Sequence, residues 1–255
     1  MRLLLGAWCL LLGLSLTGWA GSITDTDADA DGAPLIVERY LSAIQAENSR
    51  PQDVSMEVDI DAKLPRLNKQ GRLHAFKFIS RLGQIVYRAV RFEGDDTVKK
   101  DVIARYLTAE KEAQTLLRGS LAITPQNYKF KYKGTADWAG QTAYVFQVTP
   151  REKRQGLYKG ELWVDSETYL PLREWGELVK NPSVFLKKVS FVRDYFIYEG
   201  RAIPRRIISD VDTRLVGRAE LTIWFNNISL GEPLQAFHVS NGGAQPSQGD
   251  GLLTK

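Results

Sequence analysis

Between Thr142 and Ser229 the chain reads as one β-strand after another, each closed by a short turn. Turns of that length join only antiparallel neighbours, so the run demands a meandering antiparallel sheet. A second set of strands precedes it. Val54, Met56, Val58 and Ile60 alternate with Ser55, Glu57, Asp59 and Asp61, which is the period of a strand with one buried face. Asn68 to Gly71 turns into a strand with Phe76, Phe78 and Leu82 on its expected apolar face. Leu82-Gly83 turns into a third, on which Val86, Val90 and Phe92 share a face.

Two helices interrupt the strands. Pro34 opens the first, with a stripe of Leu35, Ile36, Tyr40, Leu41 and Ile44. The second is expected over Val98 to about Leu117, capped by Asp96 or Thr97, with Val102, Ile103, Tyr106, Leu107 and Ala113 as its stripe. The fold class is therefore mainly β with some α, built on a curved sheet of eight to ten strands. A sheet that wide curls, and its concave face must be plugged or must enclose a cavity. Two helices are few to fill it, so a hollow with a helical lid is expected. The side chains assigned to that face are Met56, Val58, Phe76, Phe78, Val86, Val90, Tyr144, Phe146, Tyr158, Leu162, Phe191, Ile207, Leu221, Ile223 and Phe225. Val102 and Tyr106 belong to the lid. Cations interleave the apolar faces: Arg88 between Val86 and Val90, Arg205 between Ile203 and Ile207, and Lys187 and Arg193 flanking Val189 and Phe191. Each is a latch or headgroup contact, or a side chain snorkelling at the rim; Arg88 and Arg205 are the latch candidates.

The ends differ from the body. Arg2, the apolar run Leu3–Leu16 and the small residues Gly18 and Ala20 have the order of a secretory signal cut near Ala20. Residues 21–33 form an acidic leader, 34–230 the folded domain and 231–255 a Gly/Gln/Ser-rich tail expected to be disordered. Cleavage would remove Cys9, the single cysteine, so disulfides and thiol chemistry are excluded from the mature chain. Residues 62–255 carry 31 bases against 20 acids. Such a surplus suits solubility or an anionic surface.

No motif for catalysis stands out. The sequence has two histidines, His74 and His238, far apart, and lacks HExxH, GxSxG, P-loop and GxGxxG patterns. Asp59, Asp61, Asp210 and Asp212 fall opposite their strands' apolar residues, on a solvated face. No catalytic residue, metal site, cofactor or nucleic-acid contact is expected. His74 is expected to be a satisfied strand residue.

The stretch Tyr158–Leu172, YKGELWVDSETYLPL, resembles the hairpin of LolA-like outer-membrane lipoprotein-sorting proteins, written ELWVDxxTxLPL. Ile203–Ile207 and Leu221–Ile228 are similar to that family's last two strands. The resemblance implies an unclosed antiparallel barrel with a helical lid, whose apolar hollow holds acyl chains. It implies a periplasmic carrier of a lipid or acylated protein, with inner-membrane donor and outer-membrane acceptor proteins as possible partners, working as a monomer without chemistry. RseB-type periplasmic regulators use the same fold, so a non-catalytic protein-binding sensor is the alternative.

Overall fold

The computed structural model describes residues 32–115, 121–181, 186–214 and 217–231. The expected signal, most of the leader, and the tail from residue 232 onward lie outside the described residues. Ten strands form a single antiparallel sheet: β1 (Val54–Leu64), β2 (Lys69–Ile79), β3 (Ile85–Gly94), β4 (Tyr128–Trp138), β5 (Gln141–Pro150), β6 (Tyr158–Asp165), β7 (Pro171–Leu178), β8 (Leu186–Tyr198), β9 (Arg201–Thr213) and β10 (Arg218–Leu230). Their order is β3-β2-β1-β10-β9-β8-β7-β6-β5-β4. Two meanders, β1–β3 and β4–β10, are joined where β1 pairs with β10. The edges are β3 and β4, so the sheet is unclosed.

Between those edge strands in sequence lies an interrupted helix. It begins as a short turn of α-helix, α2 (Asp96–Val98), passes through a π-helical stretch at Lys99–Ile103, and continues as α3 (Ala104–Thr115). Its cap is Asp95, whose carboxylate accepts from the Thr97 backbone N–H at 2.7 Å, one residue earlier than the sequence pattern suggests. Helix α1 spans Ala33–Asn48, with Pro34 in its first turn as expected.

Directly paired residues share a face of a sheet. Val58 pairs with Phe225, Ile223 with Ile207, Ile207 with Arg193, Arg193 with Glu174, Glu174 with Leu162 and Leu162 with Phe146. With the even spacing along each strand, these pairs trace one continuous inner face from β1 to β5. Both helical elements pack on it.

Two local features shape the sheet. Strand β4 runs on to Trp138 through a bulge between Tyr132 and Gly134, and the turn into β5 is confined to Ala139-Gly140. Strands β6 and β7 meet at Gly160 and Gly176, where a Cβ on Gly160 would collide with the Trp175 carbonyl and the Gly176 Cα. Only glycine permits that backbone approach.

Candidate binding site on the inner face

Each helical element buries its own half of the inner face. Helix α1 lays Ile36 and Tyr40 against Tyr128, Phe146, Val148, Tyr158 and Leu162. Leu35, part of the expected stripe, is instead exposed, because the buried face is centred on Ile36 and Tyr40. Arg39 fixes the helix to the β6–β7 turn: its guanidinium donates to the Tyr169 hydroxyl at 2.6 Å and lies 5.2 Å from that ring's centre. The turn itself is held by Asp165, whose carboxylate accepts from the Thr168 backbone N–H (2.8 Å) and hydroxyl (2.7 Å). The Tyr158–Leu172 stretch thus serves both to reverse the chain and to dock α1.

The interrupted helix covers the other half. Val98 and Ile103 are buried with Met56, Val58, Ile60, Leu73, Leu221, Ile223 and Phe225, and Val102, Tyr106 and Leu107 pack around them. Beneath α3 sits a buried polar contact. Lys77 of β2 donates to the Glu110 carboxylate at 2.6 Å, with 6% and 19% of the two side chains exposed. The Tyr87 hydroxyl of β3 donates to the other oxygen of Glu110. Burial, then the Glu110 charge, raises the Tyr87 phenol well above its ordinary value.

Between the two covered halves runs a polar seam. Glu174 of β7 is buried; it accepts from Arg193 of β8 at 3.3 Å and from the Tyr195 hydroxyl at 2.9 Å. Arg193 lies over the Phe191 ring, 4.7 Å from its centre. Its side chain keeps 44% of its surface reachable by water. Burial disfavours its charge, but Tyr195 and Glu174 outweigh that and hold the guanidinium protonated. Burial and then Glu174 raise the Tyr40 phenol of α1, while burial and then Glu110 raise Tyr106 of α3.

The sequence-derived residues divide cleanly. Met56, Val58, Leu221, Ile223 and Phe225 are buried in the first half, with Ile207 packed against them. Phe146, Tyr158, Leu162 and Phe191 are buried in the second, with Tyr144 alongside. Four assignments to this face are corrected. Phe76 and Phe78 pair with Glu57 and Ser55, and so lie on the outer face; Val86 pairs with Phe78 there, and Val90 is exposed beside a bulge. The bulge spans Ala89, at φ 49°, and reverses the side-chain alternation of β3. Leu73, Ala75, Lys77, Tyr87 and Phe92 take the inner positions instead.

The latch candidates move accordingly. Arg88 pairs with Phe76 on the outer face, away from the helix, and the cation beneath α3 is Lys77. Arg205 is exposed and lines a recess of about 410 Å³ with Phe196, Tyr198 and Ile228. The outer carboxylates sit in cross-strand pairs: Asp59 with His74 (2.8 Å), Asp61 with Arg72 (2.7 Å) and Asp210 with Arg218 (2.8 Å). Among the described residues no cluster of three or more His, Cys, Asp or Glu could hold a metal. No helix among them is long and apolar enough to cross a membrane.

Residues 95–193 match the family model of the MucB/RseB N-terminal domain. That span takes in the Tyr158–Leu172 hairpin, and the resemblance to the LolA-like fold family, which includes the RseB type, is borne out. No curated protein matches the chain. Among solved structures, a DUF1329 family protein from Desulfovibrio piger aligns at 12% identity over 76% of this chain and 91% of its own, with a TM-score of 0.39. An outer membrane lipoprotein-sorting protein domain from Vibrio parahaemolyticus aligns at 13% identity over 82% and 94%, TM-score 0.38. The MucA/MucB complex of Pseudomonas aeruginosa aligns at 12% identity over 76% and 98%, TM-score 0.24.

Proposed function

We propose that this chain is a non-catalytic binding protein of the bacterial envelope whose inner face holds the acyl chains of a lipid or an acylated protein. The observation that carries this reading is the way the inner face is covered. Its two apolar halves are closed by two separate helical elements, not by a second sheet. Moving a helix exposes apolar strand surface without breaking a ladder between strands. Each methylene that replaces the helix there contributes about 0.8 kcal/mol, so exchange between helix and acyl chain is close to balanced. In this reading residues 34–230 are the binding domain. The chain is exported to the periplasm, loses its signal near Ala20, and acts as a monomer between membrane donor and acceptor proteins.

Native mass spectrometry of the protein taken from its own periplasm, followed by lipid extraction, tests this. A stoichiometric lipid or acylated polypeptide is expected. A clean unliganded mass, with no uptake of added fluorescent fatty acid, would end the carrier reading.

A second reading is favoured by the family match over residues 95–193. In it the same domain is a sensor that binds a membrane-anchored regulatory protein, as the Pseudomonas aeruginosa MucB is seen bound to MucA. Its mark in the same spectra is a one-to-one complex with a polypeptide bearing no acyl chain.

A further inference from the structure

We propose that Arg193, with the hydroxyl of Tyr158 beside it, forms the polar end of the inner-face site and takes the anionic headgroup of an amphiphile. This rests on the reading of that face as acyl-binding, and it narrows the ligand to one that carries phosphate or carboxylate oxygens next to its alkyl chain.

The position of the charge is the first argument. Arg193 stands on an otherwise apolar strip of β8, in register with Ile207 and two residues from Phe191. Its counter-charge, Glu174, is buried behind it and engaged by both Arg193 and Tyr195. The other inner-face pair, Lys77 and Glu110, is closed on itself beneath α3. What the seam presents to solvent is therefore the guanidinium, at 44% exposure, and not the carboxylate. A guanidinium carries five N–H donors in a flat fork, more than Glu174 and Tyr195 can occupy.

An unused donor beside it is the second argument. Tyr158 is 3% exposed, and its hydroxyl has no hydrogen-bond partner. Its ring stands edge-on to Phe191, 4.9 Å between centres, and Phe191 in turn lies under Arg193. The orphan hydroxyl and the reachable cation thus share one aromatic support on one face. Buried hydroxyls are ordinarily paired, and an acceptor oxygen held by Arg193 would pair this one. Val189, Ile207 and Val211, on the same face, give an alkyl chain apolar surface. A neutral headgroup would leave the fork and the phenol unused, and a cationic one would meet Arg193.

Calorimetric titration of the full chain with dodecyl phosphate, dodecanol, dodecyltrimethylammonium and inorganic phosphate tests the proposal. Dodecyl phosphate is expected to bind about 10- to 100-fold more tightly than dodecanol, as charge-assisted hydrogen bonds allow, with inorganic phosphate alone far weaker. Read as the ratio of dodecyl phosphate to dodecanol affinity in each variant, that preference should fall several-fold in Tyr158→Phe and vanish in Arg193→Met. Because Arg193→Met strands Glu174, Arg193→Met/Glu174→Gln is measured beside it and should lose the preference equally. Equal affinity for the phosphate and the alcohol, or tighter binding of the ammonium, overturns the headgroup assignment while the acyl-binding reading stands. Inorganic phosphate binding as tightly as the alkyl phosphate overturns the amphiphile. Binding of none of the four overturns both readings.

Discussion

Lys77 and Glu110, 33 residues apart in the chain, meet at 2.6 Å between the sheet and the helix that covers it. They are the buried ion pair that ties the interrupted helix to β2, and Tyr87 completes the contact from β3. Apolar packing holds the helix down broadly; this contact fixes where along the sheet it sits.

Removing one partner leaves the other charge buried alone. Glu110→Ala is expected to destabilise the protein by about 3 kcal/mol, whereas Lys77→Met/Glu110→Leu, which removes both charges, should return to within about 1 kcal/mol of wild type. Urea unfolding curves decide it. A cost below about 0.5 kcal/mol for the single change, the range of ordinary surface substitutions, would mean the pair does not hold the helix.

Five inner-face phenols, Tyr40, Tyr87, Tyr106, Tyr158 and Tyr195, are raised above their ordinary value, first by burial and then by Glu110 or Glu174. The sign follows from linkage. Above about pH 10 the unfolded chain releases these protons while the folded one keeps them, so stability falls as pH rises through that point. Stability from these groups should be level below pH 9 and decline above 10. Tyrosinate absorbance for this set should appear together with loss of tertiary signal. Stepwise ionisation of all five in the folded protein would contradict the buried seam.

Gly160 allows β6 and β7 to touch. In Gly160→Ala the new methyl meets backbone, not a flexible side chain, and the strands must part. A loss of about 1–3 kcal/mol is expected from such overpacking, read as a lower thermal midpoint. An unchanged midpoint would show that β6 and β7 can part there without cost.

Helix α1 is docked by few side chains. Ile36→Asp places a carboxylate against Phe146 and Leu162 and should release the helix, because an unpaired buried charge is costlier than leaving that face open. The expected result is stronger binding of an apolar dye with the strand content of the circular dichroism retained. Loss of the whole sheet signal would show that α1 is structural and not removable.

The strands were legible because their alternation is local: β1, β5 and β10 carry apolar residues at every second position over most of their length, and short turns punctuate the strands between β5 and β10. The inner face of β2 was not. LHAFKFI offers two candidate faces, and the larger rings, Phe76 and Phe78, sit on the outer one. The inner face has Ala75 and Gly71 because a helix packs close to it. On β3 a single bulge reverses the alternation, and nothing in the residue types around Ala89 announces it. Lys77 reads as a solvent-facing residue until Glu110 arrives from a distant helix. The seam is hidden for the same reason: Glu174 and Arg193 become a pair only through the β7–β8 register. Arg193 did stand out as a cation on an apolar strip, which is the one trace of the seam that the linear chain carries.

The edge strands β3 and β4 have consequences for how much the protein can hold. In a closed barrel, strand number and stagger fix the diameter. Here the first and last strands in the sheet are not bonded to each other, so no ladder sets the girth. A change in twist between neighbouring strands is enough to widen or narrow the space under the helices, with every hydrogen bond kept. On the acyl-binding reading, ligands of different bulk can then be met by one sequence, the adjustment spread over nine interstrand seams and none of it demanding that a strand be lost.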